Sequence, residues 1–207
     1  MIDTVLFDFD GVLIDSLPTM SLAWNNLRLK FGIKPLFSEY QKYIGLPFNV
    51  ILSNLGIPPS LHLEIHTAYS DAAISYSSET RLFPAALYIL DWLVTNNYKI
   101  ALVTSKDLYR TQYLVNYFSL PIIHLITPES TLRGKPSPDP LFHACTVLNS
   151  NICNCVFVGD MHSDMLAAKA ANCEYLHFLS GYGSSFHLSY GYPLYSLQEI
   201  RTFLIYY

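Results

Sequence analysis

The sequence predicts an α/β protein: a doubly wound parallel sheet, Rossmann-like in its winding, with a small α-helical segment inserted after the first strand. Three observations predict it. Five short apolar runs each end in something polar or small, helix-like stretches separate the later runs, and one segment of about residues 17–80 breaks that alternation with repeated turn signals. Alternating strands and helices form a parallel sheet covered on both faces, and nearly continuous hydrophobicity is what such strands carry.

The first run, 4–7, is TVLF and stops at Asp8, Phe9, Asp10 and Gly11. Residues two apart on a strand share a face, so Asp8 and Asp10 are expected to crowd their charges unless a cation or a proton relieves them. The stretch 17–80 follows, punctuated by Gly32, Pro35, Gly45, Pro47, Gly56, Pro58 and Pro59, which divide it into about four short helices. Residues 1–16 and 81–207 are then expected to form the core and 17–80 a cap. A helical insert at that point sits over the carboxyl ends of the strands, where open α/β folds bind ligands.

Helical spacing resumes at 83–96, with Leu87, Leu90, Leu93 and Val94, and the next strands are expected at 99–103 and 122–126 with a helix at 108–117 between them. A helix at 140–148, a strand at 155–158, a helix at 163–171 and a strand at 175–179 complete the pattern.

The 207 residues are 51% hydrophobic, ample for a buried core and against disorder. A formal net charge of −4 gives no general attraction to nucleic acid or to an anionic membrane, so a phosphorylated ligand has to be held by a few placed groups. Neither a leader pattern nor an apolar run long enough to span a bilayer is present, and the expectation is a cytoplasmic protein. The four cysteines, Cys145, Cys153, Cys155 and Cys173, lack the spacing of common zinc or redox pairs and are expected to be buried free thiols.

Four strand ends carry chemistry. They are Asp8 and Asp10; Thr104 and Ser105 in ALVTSK; Lys135 in RGKPSPDP; and Gly159, Asp160 and Asp164 in VFVGDMHSD. In a parallel sheet these ends meet at one edge, bringing several carboxylates, a hydroxyl and an ammonium into one cleft. Carboxylates gathered in this way suit a hard cation, and Mg²⁺, with Asp8 and Asp160 as direct ligands, relieves the crowding. Each stretch alone has a plainer reading, since Asp-Gly is a common turn, Thr104 suits a strand or a helix cap, and Asp160 and Asp164 suit a helix start.

Taken in order, with the helical insert after the first, these four stretches resemble the motifs of the haloacid dehalogenase superfamily. The insert is similar to the small helical cap of its phosphoglycolate phosphatase, β-phosphoglucomutase and pyrophosphatase-like branch. The resemblance implies a Mg²⁺-dependent phosphatase acting on a small phosphorylated metabolite, as a monomer or weak homodimer. Asp8 would be the nucleophile, forming an aspartyl-phosphate, and Asp10 the general acid and then the base to water. The backbone carbonyl of Asp10 would join Asp8 and Asp160 at the metal, with Asp164 acting through a bound water. Thr104, the backbone amide of Ser105, and Lys135 would hold the transferring phosphoryl group, with Gly11 beside them. Lys42, next to the stretch Tyr43 to Pro47 that resembles the cap loop facing the site, would touch an anionic substrate.

Departures from the family pattern are few. Pro84-Ala85 stands where relatives usually have Pro-Gly, and Ala171-Asn172 where they have Ala-Gly; the first removes a flexible joint, and Asn is the next best residue for a left-handed helix end. Other chemistries of the superfamily separate on single residues. Asp10 argues against a dehalogenase, whose halide leaves without a proton, and Lys30, Lys34 and Lys42 read as solvated charges rather than a Schiff-base lysine. A phosphomutase acting on a sugar phosphate, or a phosphate-binding regulatory module without turnover, keeps the same motifs.

Overall fold

The computed structural model describes residues 1–183 and 188–206, so part of the expected 81–207 core lies outside the described residues. Strand β1 (Thr4–Phe7) is fully buried and occupies the middle of the sheet. It pairs in parallel with β4 (Lys99–Val103) on one side and β6 (Cys155–Gly159) on the other. Beyond them lie β5 (Leu125–Ile126), β7 (Glu174–Phe178) and β8 (Tyr192–Leu194), giving the order β5-β4-β1-β6-β7-β8. The chain builds outward from one side of β1 and then from the other, so a crevice opens at the carboxyl ends of β1 and β6.

Alternation sorts the side chains. Val5 and Phe7 enter one apolar cluster and Leu6 the other. The first cluster lies under α5 (Ala86–Thr95), α6 (Leu108–Tyr117) and α9 (Glu199–Tyr206), through Leu90, Leu114 and Ile200. The second lies under α7 (Asp139–Leu148) and α8 (His162–Ala171), through Leu141, Ala144 and Met165. The expected doubly wound sheet is therefore present.

Differences from expectation have local causes. The 122–126 strand shortens to Leu125–Ile126, an edge strand preceded by Pro121, which offers no N–H to a ladder. Strand β8 contains Pro193, which argues against a strand except at an edge, and β8 is the opposite edge. Cys153 is exposed while the other cysteines are buried and free.

Between β2 (Ile14–Asp15) and β3 (Arg81–Leu82), which pair antiparallel, the chain forms α1 (Leu17–Phe31), α2 (Phe37–Tyr40), α3 (Phe48–Asn54) and α4 (His62–Ser75). Four helices were expected here, but α1 and α4 are long. Helix α1 has Pro18 in its first turn and ends at Gly32 in the left-handed conformation (φ 64°), where a Cβ would be strained. Trp24, Tyr40, Phe48 and Tyr69 give this segment an aromatic core of its own.

Two caps bear on the family departures. Asn172 ends α8 at φ 53°, as expected of Asn. Ala85 precedes α5 at φ 66°, so the left-handed joint persists with a Cβ that opposes it.

Candidate active site

Asp8 leaves β1 with its N–H on Val158 O (2.8 Å), so the ladder carries its carboxylate into the crevice. Lys135 meets it there: Nζ lies 2.9 Å from Asp8 Oδ1, 2.7 Å from Asp164 Oδ1 and 3.2 Å from Val103 O. An ammonium has three N–H groups, and these acceptors take all three. Burial pulls Lys135 down, yet Asp164 and Asp8 outweigh it and hold its pKa above that of ordinary lysine. The cation is a permanent counter-charge.

Asp160 follows β6, and Asp164 stands in the first turn of α8, where its Oδ2 accepts the N–H groups of Met161 (2.9 Å) and Asp160 (3.2 Å). Asp8, Asp160 and Asp164 each offer a buried carboxylate oxygen, and these oxygens lie within 4.8 Å of one another. Asp160 Oδ2 accepts the Tyr182 N–H (2.6 Å), while its Oδ1 is buried without a hydrogen-bond partner among the described residues. Burial pushes Asp8 up to about 7 and Asp160 well above its ordinary value. Buried carboxylates and an orphaned oxygen together are the donor set a hard divalent cation takes, so these residues fit Mg²⁺.

The crowding expected between Asp8 and Asp10 is resolved by separate counter-charges. Where Asp8 has Lys135, Asp10 Oδ1 accepts the Ser16 hydroxyl and lies 3.1 Å from Lys106 Nζ. Both aspartates nevertheless line one cavity of about 40 Å³. Thr104 and Ser105 line it too. Thr104 Oγ1 accepts the Lys106 N–H (3.1 Å), which leaves its own proton to donate. Ser105 Oγ donates to Gly45 O (2.8 Å), tying the core to the helical segment.

Two expected residues are placed otherwise. Gly11 sits in the left-handed region (φ 87°), its N–H goes to Ile14 O (2.9 Å), and a Cβ there would fall 2.2 Å from Asp160 Oδ2. It clears space for Asp160, and its amide is spent on a turn. Lys42 is exposed on a single 3-10 turn and does not line the cavity.

The cations that do border the cavity are Lys106 and Arg110, and sequence reasoning missed both. Each is buried and lines the cavity. Arg110 Nε donates to Asp107 Oδ2 (2.7 Å), which also receives Ser70 Oγ (3.0 Å) and pairs with His66 Nε2 (3.0 Å) from α4. His66 is thus a joint between the two parts. The available signal was position: Lys106 follows Thr104-Ser105 directly, and Arg110 lies one helical turn on, past the capping Asp107.

A parallel sheet with buried aspartates, a hydroxyl and a saturated lysine at its carboxyl edge defines a hydrolase of the phosphoryl-transfer type in outline, and comparison with known proteins agrees. The family model for haloacid dehalogenase-like hydrolases matches residues 5–178. The chain belongs to that family. Within it, a phosphoglycolate phosphatase from Neisseria meningitidis is 30% identical over 203 residues, covering 91% of this chain and 85% of that protein. One from Psychrobacter arcticus is 28% identical, covering 96% and 90%. Among solved structures, CbbY from Rhodobacter sphaeroides in complex with phosphate superposes with a TM-score of 0.88 at 20% identity, covering 97% of this chain and 96% of that one. The fold is therefore shared closely, and the protein stands with the phosphatases of its family.

Proposed function

We propose that the protein hydrolyses a small phosphate monoester of the 2-phosphoglycolate kind, by way of an aspartyl-phosphate on Asp8, with Mg²⁺ as cofactor. The observation that carries this reading is the convergence of Asp8, Lys135, Asp160 and Asp164 at one strand edge, with Asp10 facing the same cavity. Asp8 would attack phosphorus while Lys135 offsets the charge shared by its carboxylate and the phosphoryl oxygens. Thr104 would donate its hydroxyl proton, and Ser105 its backbone N–H, to those oxygens. Asp10, steadied by Ser16, would deliver a proton to the leaving oxygen and then take one from the attacking water.

Asp8, Asp160 and Asp164, with the backbone carbonyl of Asp10, would hold Mg²⁺, which when bound offsets the negative charge of carboxylates and phosphate. The residues 17–80 act as a cap: Ser105–Gly45 and His66–Asp107 contacts close it on the core and exclude water. No described helix is long and apolar enough to cross a membrane; the proposed setting is cytoplasmic and the proposed working unit a monomer or weak homodimer. Phosphate release from 2-phosphoglycolate and from p-nitrophenyl phosphate, with Mg²⁺ and with excess chelator, tests the reading. Release from both that stops with chelator is expected; none from either, or full release in chelator, overturns it.

A further inference from the structure

Two buried ammonium groups face this site, and they are not equivalent. Lys135 gives its three N–H groups to three acceptors. Lys106 has one described ion pair, to Asp10 Oδ1 at 3.1 Å, although its side chain is only 4% exposed. A buried cation with donors to spare is costly unless something completes its shell. The space it borders is the cavity itself.

Arg110 borders the same space, with its Nε side committed to Asp107 and its guanidinium 4.8 Å from the Tyr69 ring centre. Lys106 and Arg110 thus present two like charges to one cavity. Met20, Ile44, Leu46 and Phe48 supply apolar wall around them. A neutral leaving group would leave the remaining donors of these cations unanswered; an anionic one would meet them.

We infer that Lys106, backed by Arg110, is the residue that reads the carboxylate on the leaving group of the ester. Reach permits it. Asp10 has to stand about 2.7 Å from the leaving oxygen to give it a proton, and Lys106 Nζ lies 3.1 Å from Asp10. A carboxylate carbon two bonds from that oxygen can be placed within hydrogen-bond reach of Nζ, and a carboxylate is a compact anion with two oxygens for two cationic donors. Asp107, which holds Arg110 Nε, also receives His66 and Ser70 from α4, so the anchor of Arg110 is shared with the helical segment.

This inference rests on the phosphatase reading above, and the experiment separates the two. The kcat/KM ratio of 2-phosphoglycolate to ethyl phosphate, in which a methyl replaces the carboxylate, is measured for the wild type, Lys106→Met and Lys106→Arg with Mg²⁺ present. The wild type is expected to favour 2-phosphoglycolate strongly. Lys106→Met should lower the ratio about 10- to 100-fold, mainly through KM, and Lys106→Arg should restore part of it. An unchanged ratio in Lys106→Met overturns the inference, as does a wild type that takes both esters equally, while the hydrolytic reading survives either result. Should Lys106→Met fail to fold, Arg110→Lys carries the same expectation, a fall in the ratio, and an unchanged ratio there overturns it. Calorimetric titration of 2-phosphoglycolate and ethyl phosphate into Asp8→Asn reads binding apart from turnover. A preference for the acid that disappears in the Asp8→Asn, Lys106→Met double variant upholds the carboxylate site even if the wild type releases no phosphate. No preference in Asp8→Asn overturns it.

Discussion

At Asp8 and Asp10, two carboxylates of the same chemistry are separated by what each is paired with. Asp8 shares Lys135 with Asp164, whereas Asp10 takes Lys106 and the Ser16 hydroxyl. The proposed division of labour predicts different responses to the same substitution. Asp8→Asn should reduce turnover below about a thousandth of wild type on every ester, because an amide cannot attack phosphorus. Asp10→Asn should spare p-nitrophenyl phosphate, whose leaving group needs little protonation, far more than an alkyl phosphate. Steady-state rates on the two esters check this, and equal losses would remove Asp10 from the acid role. Ala85 offers a prediction of another kind. Its φ of 66° opposes the Cβ, so Ala85→Gly should raise stability by about 1 kcal/mol in urea unfolding, with activity unaltered.

Among the elements, the join between α4 and α6 concentrates its charge on Asp107. Burial raises this carboxyl, but the hydrogen bond from His66 and the Arg110 guanidinium outweigh it and hold it well below the usual range. A carboxyl so lowered contributes stability that is complete above the unfolded pKa of about 4 and is lost only as pH falls through its own lower value, so the Asp107 charge is present throughout the neutral range. Removing the charge is another matter. Asp107→Ala leaves the buried Arg110 unpaired and should cost about 3 kcal/mol, read by denaturant unfolding. A loss under 1 kcal/mol would mean that the guanidinium finds other partners.

For the molecule as a whole, the three buried carboxylates couple proton, cation and stability. Burial pushes Asp8 up to about 7, so between about pH 4 and 7 the cation-free native state binds a proton that the unfolded chain has released. Stability of the cation-free protein should therefore fall as pH rises through that window. A divalent cation displaces the proton, so the rise in Tm on adding Mg²⁺ should be larger at pH 8 than at pH 5, by about 3 °C for each kcal/mol of difference. Calorimetric scans with and without chelator check it, and an equal rise at both pH values would detach the cation from these carboxylates.

What the sequence determined by itself was whatever depends on local order along the chain. Apolar runs 4–7, 99–103 and 155–158 marked the central strands because a buried parallel strand must be hydrophobic on both faces, and the polar residues just past them marked the edge where ligands bind. The turn residues between 17 and 80 marked a helical insert for the same local reason. Strands β2, β3 and β8 were invisible, being two or three residues long and held by pairing alone. Which cation serves which carboxylate was also invisible. Lys106 and Lys42 are both lysines beside a motif-like stretch, yet one is buried on Asp10 and the other lies in solvent. Only the tertiary structure decides between them, because burial and pairing across distant parts of the chain set the free energy of a charge, and no local pattern carries that information.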